Sequence, residues 1–477
     1  MGDLSEQLEL GKQYCHYIGG RWVDGGGDEI DIVDPRRGVS FARVPAGGAA
    51  QIAAAVQAAR GQFDGGDWSR MRAQERHALI LMLADLIERD AAVIARLEAM
   101  STGRPVRELL TLDLPNVISM LRRHAGSADQ LNGSGTPPVP GEWRSAQMSY
   151  VRREPVGVIG AILPGDAAFL AACAQMGLAL AAGCTIVIKP EENASLPVLH
   201  LASLADEAGI PPGVVNVVTG RGPVAGVALC SHPGVNKISF AGSPRVGAEV
   251  ARALCSLPTR LVLALRSKSS QIVFADADID RAVQGCARAI FHSQGQSCAA
   301  STRILVQREV FELFLYRLRR AAETIVVGDP LDDKTELGPV ATQSRYHSIE
   351  RYIASAIREG ATLVTGGIMK NTTGWFIRPT LIAASSREAS MAHDISGPVG
   401  TLVPFDAAED AVRLLGDVQS GQGITIWSND VARACAMAAS LRADAVGING
   451  LAAGRACQYG AGGVEEFMEE KVLTIVL

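Results

Sequence analysis

The sequence predicts an α/β protein built on parallel sheets covered by helices, and three observations lead there. Short β-rich apolar runs alternate with longer helical patterns over residues 156–265, and the alternation repeats over about 266–448. The chain then closes on an apolar run, residues 472–477, that requires a sheet to pair with. At 477 residues the chain exceeds what a single hydrophobic core normally organises, so more than one domain is expected.

The elements follow in order. Helical patterns over 71–97 and 108–127 precede the first sheet, and between them and it lies a turn-rich stretch, 131–141, with two glycines flanking Ser134 and three prolines over 137–140. An alternating run, 146–152, follows, and the two together predict a hairpin standing off the body. Residues 156–162 read as a buried strand, 167–182 as an Ala-rich apolar helix and 185–188 as the next strand. The 3.6-residue periodicity of 196–208 stops at Gly209, as a helix end does. Strands at 214–218, 237–240 and 261–265 and helices at 224–230 and 246–255 complete the first set. Helices at 279–291, 308–325 and 343–359 belong to the second. Repeated βαβ units of this kind are the usual setting for a nucleotide cofactor.

Composition excludes several classes of partner. The net charge is −5, and the 45 Lys and Arg residues are spread along the chain, which leaves no electrostatic footprint for nucleic acid or an anionic membrane. Nine cysteines stand singly, without the close pairs of metal sites or redox dithiols, so reduced thiols in a cytoplasmic protein are expected and no metal. The N-terminus has no basic segment followed by an apolar core, no later run reaches 18 residues without polar interruption, and Gly2 is followed by Glu6 where a myristoylation signal has Ser or Thr. The terminal strand and the hairpin predict a homo-oligomer, a dimer or tetramer.

One cysteine stands apart. Cys298 ends the stretch Phe291-His292-Ser293-Gln294-Gly295-Gln296-Ser297-Cys298, which reads as a nucleophile site; the alternative is a small buried hydrophobe.

With Cys298 and the strand-helix punctuation in view, the chain resembles the NAD(P)-dependent aldehyde dehydrogenase superfamily from about Tyr17 onward. The resemblance rests on Glu154-Pro155-Val156-Gly157-Val158, Ala182-Gly183-Cys184-Thr185-Ile186-Val187-Ile188-Lys189-Pro190 and Phe240-Ala241-Gly242-Ser243. It continues in Val327-Gly328-Asp329-Pro330, Leu337-Gly338-Pro339 and Gly397-Pro398-Val399. It implies an aldehyde dehydrogenase-like fold with a Rossmann-like NAD domain over 1–128 and 153–265 and a catalytic domain over 266–448. Oligomerisation strands are implied over 129–152 and 464–477.

The resemblance also implies the site. Lys189 and Glu192 match the pair that holds the adenosine ribose hydroxyls; a carboxylate there repels a 2′-phosphate, so NAD is expected over NADP, unless both are ordinary exposed charges. Gly222, Gly226 and Ser243 match positions where backbone approaches the adenine and pyrophosphate. Leu265 and Asp394 match cofactor positions further on, Asp394 replacing a Glu that holds the nicotinamide ribose, and Ser396 replaces a Phe beside the ring.

The reaction so implied is attack of a Cys298 thiolate on an aldehyde, hydride transfer to the nicotinamide, and hydrolysis of the thioester by a base-activated water. The base motif Glu-Leu-Gly-Gly-Lys reads Ala264-Leu265-Arg266-Ser267-Lys268 here, 34 residues before Cys298. Arg266 either obstructs the ring or supplies a cation beside the sulfur. The oxyanion donor, Asn in Pro-Trp-Asn, becomes Asp in Pro164-Gly165-Asp166. An ionised Asp166 repels an oxyanion; its alternatives are a relocated base or a partner for Arg266. His292, at an aromatic position of the motif, is expected to be packed in the core. The loop between Asn449 and Gly460 has only ten residues, shorter than the substrate-lining stretch of the family, which opens the site.

Three readings follow. One is NAD-dependent oxidation of a small-molecule aldehyde through Cys298 with an atypical deacylation. The second is a non-catalytic homologue with a binding or assembly role, and the third a cysteine-dependent acyl-transfer or thioester enzyme.

Overall fold

The computed structural model describes residues 14–25, 27–128, 134–136, 147–265, 269–297, 300–369, 372–384, 395–416, 423–451 and 462–476. Two seven-stranded sheets dominate. In the first, five parallel strands run in the spatial order Arg260–Leu265, Lys237–Gly242, Val158–Ile162, Thr185–Lys189, Val215–Val217. The strands Val158–Ile162 and Thr185–Lys189 are buried at all five positions each, which explains why their Val- and Ile-rich runs do not show the polar alternation of a one-sided sheet. Each of these fully buried Val and Ile side chains stabilises the fold by roughly 1.5–3 kcal/mol.

The helix after the first strand, Ala168–Ala182, is buried on every side, so its alanines let it lie between the sheet and the neighbouring helices Leu114–Ala128 and Ser195–Glu207. Its end is set by Gly183, whose φ of 92° is in the left-handed region. Counting outward from Val158–Ile162, the chain adds two strands on one side and then returns to the other side at Lys237–Gly242. The strand order therefore reverses between Val158–Ile162 and Lys237–Gly242. In an open α/β sheet the crevice beyond the strand ends at such a reversal is where ligands bind.

Two antiparallel strands that the sequence did not announce, His16–Ile18 and Arg21–Val23, extend this sheet beyond Val215–Val217. The hairpin Glu29–Asp34 with Val39–Pro45 is a further addition. The pattern over 71–97 is not one helix but two, Ala73–Arg89 and Ala91–Thr102. They break at Asp90, whose carboxylate takes Arg89 Nε at 2.7 Å and His200 Nε2 at 2.9 Å. The pattern over 108–127 starts at Val106 and passes through a π-helical turn, Leu109–Asp113, before Leu114–Ala128.

The second sheet runs Thr362–Ile368, Ile377–Ala383, Val399–Phe405, Ser301–Gln307, Ser269–Val273, Gly423–Trp427, Ala445–Ile448, with only the first pair antiparallel. The chain passes from the last strand of the first sheet, ending at Leu265, to a central strand of the second, starting at Ser269. Its neighbour starts at Ser301, and Ser269 N donates to Ala300 O at 3.1 Å. The two stretches that flank residues 266–268 and 298–299 are thus adjacent.

The terminal strand finds its partner within the same chain. Met468–Val476 pairs antiparallel with Gln147–Pro155, which pairs in turn with Ser134–Thr136. The strand is anchored at its root by Lys237, almost wholly buried, whose Nζ donates to Glu466 O at 2.8 Å and lies 3.9 Å from the Phe467 ring centroid.

Candidate active site

The helix Ile279–Phe291 delivers the chain to the segment that precedes Cys298. Ser293 (φ 52°), Gln294 (φ 52°) and Gly295 (φ 62°) are three consecutive residues in the left-handed region. For the two that are not glycine this costs about 1–2 kcal/mol each, so the surroundings must hold the turn in place. They do so from three directions. Gln294 Nε2 donates to Gly103 O, and Gln296 Nε2 to Gln294 Oε1 at 3.2 Å. Gln296 Oε1 accepts from Ala341 N at 3.0 Å and Arg345 Nη1 at 2.8 Å. Gly397 N donates to Gly295 O at 3.1 Å, and a Cβ on Gly295 would stand 2.0 Å from Gly397 O. Cys298 itself lies outside the described residues, as do Arg266 and Asp394, and with Arg266 the proposed pairing to Asp166.

The rim of the first sheet gathers most of the other expected positions. Asp166, in the turn after Val158–Ile162, is 3% exposed. Gly165 before it is dictated by packing: a Cβ there would stand 2.8 Å from Glu191 Oε2, which accepts from Asn193 N at 3.1 Å and Ala194 N at 3.2 Å. Lys189 ends the next strand, buried, with Nζ 3.5 Å from Glu192 Oε1; that same oxygen accepts from Gly222 N at 2.7 Å. These residues are therefore one cluster and not ordinary solvated charges.

Gly226 ends the turn Gly222–Gly226, with no atom within 4 Å of where its Cβ would be. Ser243 Oγ caps the helix Pro244–Leu254, accepting from Val246 N at 3.4 Å. Ala264 and half-buried Leu265 end the outermost strand, and Leu265 packs over Gly247 of that helix. A carboxylate beside an ammonium suits a vicinal diol, and a capped helix start suits a phosphate, so this donor set fits a dinucleotide.

Behind the turn lies a cluster of buried charge that the sequence reading missed. Arg104 Nη2 donates to Glu108 Oε1 at 2.7 Å and also pairs with Asp113, while its Nη1 stands 4.0 Å from Glu98 Oε1. Glu108 Oε2 accepts from Ser293 N at 3.1 Å and faces His292 Nδ1 at 3.2 Å. Burial opposes its ionisation, but Arg104 and then His292 outweigh that and hold the carboxyl down at about 2. His292 is thus not packed in the core as expected; it is partly exposed and anchored on Glu108, which ties the turn before Cys298 to Arg104. The signal was present in one place: Glu98 sits on the buried face of Ala91–Thr102, four residues from Ile94, where an apolar residue belongs.

A profile of the aldehyde dehydrogenase family matches residues 22–467. The chain belongs to the aldehyde dehydrogenase family. It is 36% identical to human retinal dehydrogenase 2, covering 96% of this chain and 91% of that one. The NAD+ complex of aldehyde dehydrogenase from Bacillus cereus superposes with a TM-score of 0.94 at 30% identity, covering 100% and 99% of the two chains. PnpE in complex with nicotinamide adenine dinucleotide superposes with a TM-score of 0.91 at 35% identity, covering 98% of each.

The two parallel-rich sheets and their junction are therefore the aldehyde dehydrogenase fold, and the protein is an oxidoreductase of aldehyde dehydrogenase type. Among the described residues of this aldehyde dehydrogenase no group of His, Cys, Asp or Glu could hold a metal ion, and no helix is long and apolar enough to cross a membrane.

Proposed function

We propose that the protein oxidises an aldehyde to a carboxylic acid with NAD, using Cys298 as nucleophile. The observation that carries this reading is the strained turn 293–295, held by buried hydrogen bonds from Gly103, Gln296 and Gly397. Strain of this kind persists where a backbone must aim a side chain, and here the side chain that follows is the Cys298 thiol. Bound in the crevice, NAD supplies the hydride acceptor. Glu192, with Lys189 beside it, takes the adenosine ribose hydroxyls and disfavours a 2′-phosphate; Gly222, Gly226 and Ser243 admit the pyrophosphate, and Leu265 and Asp394 flank the nicotinamide half.

The Cys298 thiolate adds to the carbonyl carbon, and the resulting thiohemiacetal becomes a thioester on loss of hydride. Hydrolysis is the impaired step. Ala264 has no proton-accepting group where the family places its base, so water must be activated from Asp166 or attack unaided. Arg266 favours the thiolate form of the sulfur. The same Ala264 supports a second reading, acyl transfer from Cys298 to a thiol acceptor, which needs no activated water. The division into an NAD domain (1–128 and 153–265) and a catalytic domain (266–448), homo-oligomer assembly through the three-stranded sheet, and a cytoplasmic location complete the proposal.

The experiment follows reduced nicotinamide with a panel of aliphatic, aromatic and bulky aldehydes, with Cys298→Ala and Ala264→Glu in parallel. Turnover is lost in Cys298→Ala, and in Ala264→Glu the steady-state rate rises by on the order of 10²-fold as the base is restored. A wild-type protein that reduces no NAD with any aldehyde, but whose Cys298 is acylated by activated thioesters, sinks the oxidation reading in favour of acyl transfer.

A further inference from the structure

The segment that leaves the helix Ala91–Thr102 touches the turn before Cys298 at two points. Gly103, at φ 79°, presents its carbonyl to Gln294 Nε2. Further along the same segment, Glu108 Oε2 accepts from Ser293 N at 3.1 Å and faces His292 Nδ1 at 3.2 Å. The Glu108 side chain is 13% exposed, and its other oxygen accepts from Arg104 Nη2 at 2.7 Å. One carboxylate therefore reaches from a buried guanidinium to the backbone of the first strained residue.

An irregularity of the helix turns it that way. The residues after Glu108 form the π-helical turn Leu109–Asp113, closed by Leu114 N donating to Leu109 O. Along an α-helix, residues five apart point about 140° away from each other. Here the wider turn brings Glu108 and Asp113 to the same Arg104 Nη2. Single π turns inside helices recur at functional sites.

Ser293 is the residue that needs holding. It carries a Cβ at φ 52°, a backbone conformation that L residues avoid, and its hydroxyl is buried without a hydrogen bond among the described residues. Its own side chain does nothing to favour this backbone. Its N–H has the Glu108 carboxylate as acceptor, and a bond to an ionised acceptor is about twice as strong as a neutral one.

We propose that Glu108 is a positioning residue for the nucleophile: fixed by Arg104, its carboxylate keeps Ser293 in the left-handed region and so presents the Cys298 thiol for attack. This deepens the aldehyde-oxidation reading and rests on Cys298 being its nucleophile. Both carboxylate oxygens are required. A Gln in the same place has one acceptor and one NH2 group, so either Arg104 or the Ser293 N–H meets a donor. One orientation loses the bond to the turn, and the other loses the guanidinium that anchors it.

The test reads Cys298 without turnover. Purified full-length protein is treated with iodoacetamide and alkylation of each cysteine is timed by peptide mass; exposed Cys255 reports the reagent, and buried Cys173 and Cys286 report unfolding. Glu108→Gln slows alkylation of Cys298 by on the order of tenfold, with Cys255 as in the wild type. Ser293→Gly then separates positioning from a general loss of structure, because glycine adopts the left-handed backbone without a steric penalty and no longer depends on the carboxylate. It raises the Cys298 rate in the Glu108→Gln background by about fivefold more than in the wild-type background. An unchanged or faster Cys298 rate in Glu108→Gln, or equal effects of Ser293→Gly in the two backgrounds, overturns the role. Where Glu108→Gln exposes Cys173 and Cys286, Glu108→Asp carries the same two outcomes, since it keeps the charge beside Arg104 but is one methylene short of Ser293 N.

The second arm is kinetic. With aldehyde and NAD, kcat/KM of Glu108→Gln falls in the same ratio as the alkylation rate, and kcat, set by slow hydrolysis, falls by less. An unaltered kcat/KM also overturns the role. A wild type that oxidises no aldehyde rejects the aldehyde reading instead, and the alkylation arm still decides whether Glu108 presents the thiol.

Discussion

Gly295→Ala is the perturbation that asks most directly whether the turn before Cys298 is a built device. Two costs add. The residue sits at φ 62°, where an L side chain loses roughly 1–2 kcal/mol. Its new Cβ would stand 2.0 Å from Gly397 O and 2.7 Å from Ile290 O, and it must retreat to at least 3.0 Å. Both neighbours are backbone, so a flexible side chain cannot absorb the shift. Moving the two segments apart by about 1 Å breaks the Gly397 N to Gly295 O hydrogen bond at 3.1 Å, a further 0.5–1.5 kcal/mol or so, and more if the N–H stays buried and unpaired. The total is about 1.5–3.5 kcal/mol.

Urea denaturation measures it as a lower midpoint at unchanged slope. The same variant slows alkylation of Cys298 by iodoacetamide and lowers kcat/KM together, because the turn no longer aims the thiol. A Gly295→Ala protein within about 0.5 kcal/mol of wild type, with normal thiol reactivity, would refute the reasoning that this backbone is constrained for the sake of the sulfur.

Two further outcomes follow from the charge clusters. Glu108 has a carboxyl held down at about 2 by Arg104 and His292, so its folded value lies below its unfolded one. Its contribution, on the order of 3 kcal/mol, is present above the ordinary carboxylate range and lost as pH falls from about 4.5 towards 2. The stability gap between wild type and Glu108→Gln in urea titrations therefore closes over that window, and a gap independent of pH argues against the pairing. Glu192→Ala removes the acceptor for Gly222 N and the charge beside Lys189. The ratio of NADP to NAD affinity, read by fluorescence titration, rises by on the order of tenfold, about 1.4 kcal/mol; an unchanged ratio would show that Glu192 does not read the ribose.

The parallel strands were legible because burial on both faces favours short Val- and Ile-rich runs, and the length and flanking turns of Val158–Ile162 and Thr185–Lys189 favour strand over helix. The N-terminal strands were not. His16–Ile18 and Arg21–Val23 are three residues each, and their pairing is set by a long-range neighbour, Val217, that no local pattern announces. The break at Asp90 depends on His200, 110 residues away, and was equally silent. In the site, strand-end residues such as Lys189 and Ser243 were assigned by the family resemblance, from motifs that close a strand. The Arg104 cluster was not, since an Arg after a helix-ending glycine reads as a solvated charge until tertiary packing closes over it.

The same packing bears on why the missing base does not dismantle the site. Ala264 is 8% exposed at the end of a strand, and its neighbour Leu265 seats on Gly247, so the strand end is kept by apolar contact and does not need a carboxylate there. The groups that hold the turn before Cys298, Gln294, Gln296 and Glu108, act on backbone atoms of the turn and of Gly103 and Ala341, independently of residue 264. On the proposed reading, positioning and proton transfer are therefore carried by separate sets of residues. On that reading, loss of one proton-transfer group slows a chemical step while the turn before Cys298 stays held.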